Sequence, residues 1–421
     1  MRTSAPAASS PAPPRLPWPV AWRLALGQIV AWGILYYAFT VFVGPMQTAT
    51  GWSRTFLNAG LSLGLLTWGL LALPAGAWIQ RRGGRGIMTA ASALGGGALI
   101  LMGTTDGAPA YIVAWVLLGA AMAGMLYDSA FAVVTQAFGP EYRRGITLIT
   151  LVGGLASTVF IPLAQLAVDR LGWQHALAAL GAFQVVVGVP LHAWGIPRFV
   201  RPAAAGSLQP WRTRWSEWWR EFLRDISDRR FVGLALWFTA HAAAFTGLIF
   251  QLVPILQALG VDNGTILQAF AVIGPMQVLG RFLLTTRGNR FATLRIGWWA
   301  MGALTGALVV LLVAPPRLAW LVVFATLYGL GNGVTTILRG TAIAELFGRA
   351  RYPELNGALS APAVFAKAAS PLALAAVWTA TGEPRVVFGG ILLLLVIGAA
   401  GLWLTTSAQR RQALGTASAS A

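Results

Sequence analysis

Twelve apolar stretches, each long enough to cross a bilayer as a helix, occupy most of this chain and leave it few ways to fold. They fall at roughly 20–43, 54–79, 87–105, 109–137, 145–168 and 173–196, and after a polar gap at roughly 231–256, 264–286, 292–314, 317–345, 356–380 and 385–406. A bilayer-spanning helix needs about 20 apolar residues, and inside lipid only helices and closed barrels satisfy every backbone polar group. Of the 421 residues, 57% are hydrophobic and 10% charged, against about 25% charged in an average soluble domain. Too few polar side chains remain to cover a water-facing surface, which excludes a soluble enzyme. The expectation is an all-α membrane protein with twelve transmembrane helices in two six-helix bundles.

The boundaries follow from composition. Residues 1–19 are rich in Pro, Ala and Ser and read as a disordered tail rather than a signal peptide, since the first apolar run is long enough to span. Residues 20–196 form the first bundle, 197–230 a linker, 231–406 the second bundle and 407–421 a second tail. Within the linker, Trp211, Trp215, Trp218, Trp219 and Phe222 recur at helical spacing among Arg and Glu, the pattern of a helix lying in the headgroup region with its aromatic face in lipid.

The net charge of +18 would suggest nucleic acid in a soluble chain. Placing the arginines removes that reading. Basic residues accumulate in short cytoplasmic loops, and with the N-terminus inside, 23 of the 29 arginines fall on the cytoplasmic side. Four (Arg54, Arg170, Arg317, Arg385) fall on the other face, and Arg281 and Arg339 fall within spans. Both termini are therefore expected in the cytoplasm of a multi-pass protein of the cell (inner) membrane. The chain has no Cys, and its three His form no metal-ligand spacing; no Walker-type Lys follows a Gly run. No cofactor, metal, ATP-driven step or enzymatic activity is expected.

Two loops of the first half recur in the second. Arg82-Gly83-Gly84-Arg85 is echoed by Arg287-Gly288-Asn289-Arg290, and Phe138-Gly139 with Tyr142 by Phe347-Gly348 with Tyr352. A duplicated six-helix unit places a binding site at the interface of the halves, near the bilayer midplane. The chain as a whole resembles the major facilitator superfamily, and the loop carrying Gly76, Gln80, Arg81, Arg82, Gly84 and Arg85 looks like its conformational loop motif. The family has Asp where this chain has Gln80, so the charge network that latches the halves is expected to be built differently. Gly51-Trp52-Ser53-Arg54 is similar to bacterial members of the monocarboxylate transporter branch.

Ionisable groups near the membrane centre cost about 2.5–3.5 kcal/mol on insertion scales, so the few present are candidates for function. Lys367 is the one Lys in the chain, eleven residues into its span and about 16 Å from the cytoplasmic end. Arg281 lies in segment eight. Resemblance to the oxalate:formate antiporter, which carries an Arg in segment eight and a Lys in segment eleven, implies that Arg281 and Lys367 hold a carboxylate; the guanidinium can do so through two parallel hydrogen bonds. Proton-linked members of the family have an Asp one turn before that arginine, where this chain has Gln277. Asp128 either carries a proton or neutralises Arg339 or Arg281, and with Arg339 it forms a candidate gate. Tyr36, Tyr37, His241 and Asn332 are candidates to shape the substrate pocket.

The resemblance implies a secondary active transporter of a small organic anion, by antiport or with a proton, expected to work as a monomer. Two alternatives are a proton-driven exporter of drugs or other toxic compounds, with Asp128 as the proton carrier, and a transporter-like sensor. The short linker and tail offer little room for the output region that a sensor needs.

Overall fold

The computed structural model describes residues 18–104, 107–198, 211–287 and 292–419. Residues 1–17 of the first tail, 199–210 of the linker and the second copy of the basic loop at 288–290 lie outside them. Among the described residues the chain is helical, with no strand. Span one is α1 (Trp18–Trp32), a π turn (Gly33–Tyr37) and α2 (Phe39–Thr50); spans two and three are α3 (Arg54–Arg82) and α4 (Gly84–Thr104). Span four is α5 (Ala108–Met125) plus α6 (Tyr127–Ala137). Spans five and six comprise α7 (Tyr142–Gly153), α8 (Ala156–Phe183), a second π turn (Gln184–Gly188) and α9 (Val189–Ala193). The linker holds α10 (Trp211–Ser227), and the second half runs α11 (Arg229–Ala258), α12 (Asn263–Arg287), α13 (Thr293–Val313), α14 (Leu318–Phe347), α15 (Tyr352–Thr381) and α16 (Pro384–Ala419).

Among the described residues, eleven helical stretches are long and apolar enough to cross a membrane, and one of them, Tyr142–Ala193, is 52 residues long. Gly172, at φ 75°, breaks it in two, which gives twelve crossings. Positive φ is a conformation only Gly adopts freely, and these glycines expose the duplication in the backbone itself. Gly51 pairs with Gly260, Gly139 with Gly348 and Gly172 with Gly382, at separations of 209, 209 and 210 residues.

Close approach of the helices depends on residues without side chains, as expected where lipid supplies no hydrophobic drive between helices. A Cβ on Gly119 would lie 2.2 Å from the Gly64 carbonyl oxygen, and one on Gly233 2.5 Å from that of Gly401. Glycines flank Asn332 for the same reason: Gly333 packs on the backbone of Gln277 and Gly331 on Leu304 and Ala300.

The two halves meet chiefly through α3 against α15, with α6 and α7 against α14 and α7 against α12. Because the crossings are even in number, the ends carrying Arg81, Arg82, Arg143, Arg144, Arg349 and Arg351 share one face. There the halves are tightly joined. Arg143 donates to Glu345, which also accepts from Thr293, Gln80 Nε2 donates to the Ala350 carbonyl, and Cβ atoms on Gly76 and Gly357 would collide with the facing backbone of Pro353 and Ala72. At the opposite end, α2 packs on α3 and α8 of its own half.

Two readings of the sequence differ from the structure. Phe222 in α10 does not face lipid: it is 3% exposed and packs inward beside Trp219, while Asp225 on the same helix binds Arg351 at 2.7 Å. The helix is therefore pinned to the second half by an ion pair and a buried ring. The side chains at 211–218 lie outside the described residues. Further on, α16 continues to Ala419, so helix covers most of the stretch read as a tail.

Candidate functional site

Irregular backbone sets the site. The π turn at Gly33–Tyr37 inserts an extra residue per turn in the middle of span one, a device found mostly at functional positions, and it presents Tyr36 and Tyr37. Span four breaks at Leu126, whose ψ of −168° is extended. Asp128 thereby sits in the first turn of α6, where the helix dipole favours a negative charge.

Asp128 meets Arg339, not Arg281. Arg339 Nη2 donates to Asp128 Oδ1 at 3.2 Å and to the Asn356 carbonyl at 3.3 Å, while Nη1 donates to Asn356 Oδ1 at 2.6 Å. It also donates to Ser360 Oγ. Asn356 closes the set by donating through Nδ2 to Asp128 Oδ1 at 3.3 Å. The guanidinium meets four acceptors, and the carboxylate of one half is held by two residues of the other.

Arg281 is 4% exposed. Its Nη1 donates to the Thr150 carbonyl across the interface at 2.8 Å, and Nη2 reaches Gln277 Oε1 at 3.5 Å. It lies against Gly154, and Tyr127 Oη against Gly153, the residue before. Tyr37 and Tyr127 both lie within electrostatic reach of this guanidinium.

Lys367 stands midway along α15 with its ammonium 5.8 Å above the Trp68 ring, within cation–π range. It is within electrostatic reach of Asp128, Arg339 and His241. His241 lies near Asn332 and beside Phe245. Between the two cations stands an aromatic cluster centred on Trp32, whose ring lies 5.4 Å from Tyr36, 6.1 Å from Tyr37, 5.8 Å from Trp68 and 5.1 Å from Tyr127. Arg281 and Lys367 thus flank one cluster. Tyr36, Tyr37, Tyr127, His241 and Lys367 are enclosed by protein yet each keeps part of its surface accessible, as side chains lining an internal space do.

The candidates from sequence fall in two layers. Asp128 and Arg339 belong with the closed contacts between the halves; Tyr36 and Tyr37 are part of the aromatic cluster, Arg281 and Lys367 stand next to it, and His241 and Asn332 lie beyond Lys367. Of the loop motif, Gly76 and Gln80 bridge to the second half, and Arg82 stacks on Trp78 at 4.5 Å. Gly84 packs on Val133. Trp32, Trp68, Tyr127, Thr150, Asn356 and Ser360 had no signal in the sequence, because apolar helices buried on several sides show no periodic face that picks out an inward residue.

The fold and this central, charge-bearing space define a multi-pass membrane transporter. The Major Facilitator Superfamily pattern matches residues 24–318, and the chain belongs to that family. An uncharacterised transporter of the same type, YcxA of Bacillus subtilis (strain 168), is 25% identical over 322 residues, covering 74% of this chain and 76% of that one. Among solved structures, the human organic anion transporter MFSD10 (TETRAN) superposes with a TM-score of 0.71 at 17% identity, over 93% of this chain and all of the other. FucP, the Escherichia coli fucose:proton symporter, in its outward conformation, gives 0.70 at 13% identity, over 93% and 98%. At these identities the structural matches speak for the fold.

Proposed function

We propose that this transporter moves a small organic anion, a carboxylate, by alternating access of its two halves, and that the face on which the halves are joined is the cytoplasmic one. The observation that carries this reading is the pair of buried cations, Arg281 and Lys367, on either side of one aromatic-lined space, with the nearby carboxylate, Asp128, already bonded to Arg339 and Asn356. An anion brings a counter-charge to Lys367, whose nearby carboxylate is committed to Arg339, whereas a cation is repelled there. The assignment of the cytoplasmic face rests on the arginine distribution. The inner membrane and a working monomer belong to the same proposal.

The resemblance to the monocarboxylate and oxalate:formate branch supports a carboxylate, as does the fold shared with a transporter of organic anions. With Gln277 beside Arg281 and Asp128 engaged, the site favours anion exchange over proton symport. The drug-exporter reading needs Asp128 free to trade a proton, and two partners hold it.

Because Lys367 is the one Lys, an amine-reactive probe read by peptide mass spectrometry reports on this site alone. Small carboxylates should protect Lys367 from labelling and lipophilic cations should not. Protection by lipophilic cations with none by any carboxylate contradicts the proposal.

A further inference from the structure

The cations account for a carboxylate; they do not account for what surrounds them. Four aromatic side chains from three elements meet around Trp32: Tyr36 and Tyr37 from the π turn, Trp68 from α3, and Tyr127 from α6. Their contacts with one another are edge-on or tilted, with Trp32 to Trp68 at 68° and Tyr36 to Tyr37 at 89°; Tyr127 stacks on Phe131 at 9° on one side, and among the described residues the rings of Trp32, Tyr36 and Tyr37 have no parallel partner. The indole nitrogens of Trp32 and Trp68 are both buried and neither has a hydrogen-bond acceptor. A buried donor left unmatched costs about 1–3 kcal/mol. Lys367, over the Trp68 ring, adds a third donor on the same side.

We infer that the preferred substrates are aromatic carboxylates: a flat ring seated among Trp32, Trp68, Tyr37 and Tyr127, with its carboxylate held by Lys367 and Arg281. The inference rests on the anion reading above and narrows it. An aliphatic carboxylate satisfies the cations but leaves the ring faces unmatched. A neutral aromatic matches the rings but brings no counter-charge to the Lys367 ammonium, and an aromatic amine is repelled by it. An aromatic acid alone uses both halves of the site, the rings of the first and the cations of the second, as a ligand should if its binding is to draw the halves together. Pockets of this kind pair apolar and aromatic walls with a few placed polar groups.

The test compares benzoate with cyclohexanecarboxylate, which has the same charge and ring size without the π faces. Binding is measured on the full chain in lipid nanodiscs by competition with labelled benzoate. Aromatic pairs are worth about 0.5–1.5 kcal/mol beyond area, so benzoate should bind about two- to twelvefold tighter. In Trp68→Leu that ratio should fall towards one while cyclohexanecarboxylate affinity changes less than about threefold; Trp68→Phe should retain a preference. If Trp68→Leu does not fold, Trp32→Leu takes its place. Equal affinity for the two acids, or a ratio unchanged in the Leu variant, overturns the aromatic inference and leaves the anion reading standing. Binding of neither acid, together with binding of benzylamine, overturns both.

Discussion

Arg339 and Lys367 are both intramembrane cations of the second half, on neighbouring helices, and their surroundings are opposite. Arg339 has a carboxylate, an amide, a carbonyl and a hydroxyl arranged around its guanidinium. Lys367 has an indole face, with Asp128 near enough to be felt but committed to Arg339. A cation gripped by four acceptors is part of the architecture. One held against an aromatic ring at the edge of an accessible space is positioned to receive a ligand. Under the proposed function, the pair at Arg339 is a lock on the arginine-rich side of the site and Lys367 a receiver in the middle of the membrane.

The largest effect should come from breaking the lock. Arg339→Met leaves Asp128 buried without its partner, and removing one member of a buried pair costs about 3 kcal/mol; the melting temperature in nanodiscs should drop clearly. The paired change Asp128→Asn with Arg339→Met should recover much of that loss, and no recovery would show that the two residues act independently. Lys367→Met should separate from this pattern: it removes a charge no carboxylate bonds directly, so the melting temperature should hold, while carboxylate transport falls about 10- to 100-fold, the worth of one hydrogen bond to a charged group. A Lys367 variant as unstable as Arg339→Met would erase the distinction between the two cations.

A smaller effect is expected at the rim. Arg143 and Glu345 are 30% and 25% exposed, and pairs of that exposure are worth about 1 kcal/mol or less. Arg143→Ala should let the closed face open several-fold more often, read as faster thiol labelling of a single Cys placed beside Glu345, which the cysteine-free chain permits without background. The smallest effect concerns acid. Asp228 caps α11 and binds Arg230 at 2.7 Å, and these hydrogen bonds lower its carboxyl below the usual 3.8. A depressed carboxyl contributes stability above its unfolded pKa and loses it as pH falls through the folded one. Asp228→Asn should therefore change the melting temperature at pH 7 and make no difference once the pH is well below 3.8.

What the sequence made legible was whatever departs from a membrane background. Charges inside apolar runs stand out, so Arg281, Lys367, Asp128 and Arg339 could be named before their geometry was known, as could the twelve spans and the duplicated loops. Trp32 and Trp68 could not, because they are two of 19 tryptophans and Trp is ordinary at membrane depth and at the interface. The π turn and the break at Leu126 carry no Pro or charge to mark them. The choice of Arg339 over Arg281 as the partner of Asp128 depends on which helices face each other across the halves, and hydropathy does not encode that.

The central claim is that Lys367 is a receiver for a carboxylate that the protein carries across the membrane. Counterflow in proteoliposomes preloaded with unlabelled carboxylate tests it directly. The parent protein should accumulate the labelled acid and Lys367→Ala, equally folded and equally incorporated, should not. Equal counterflow in both would contradict the account.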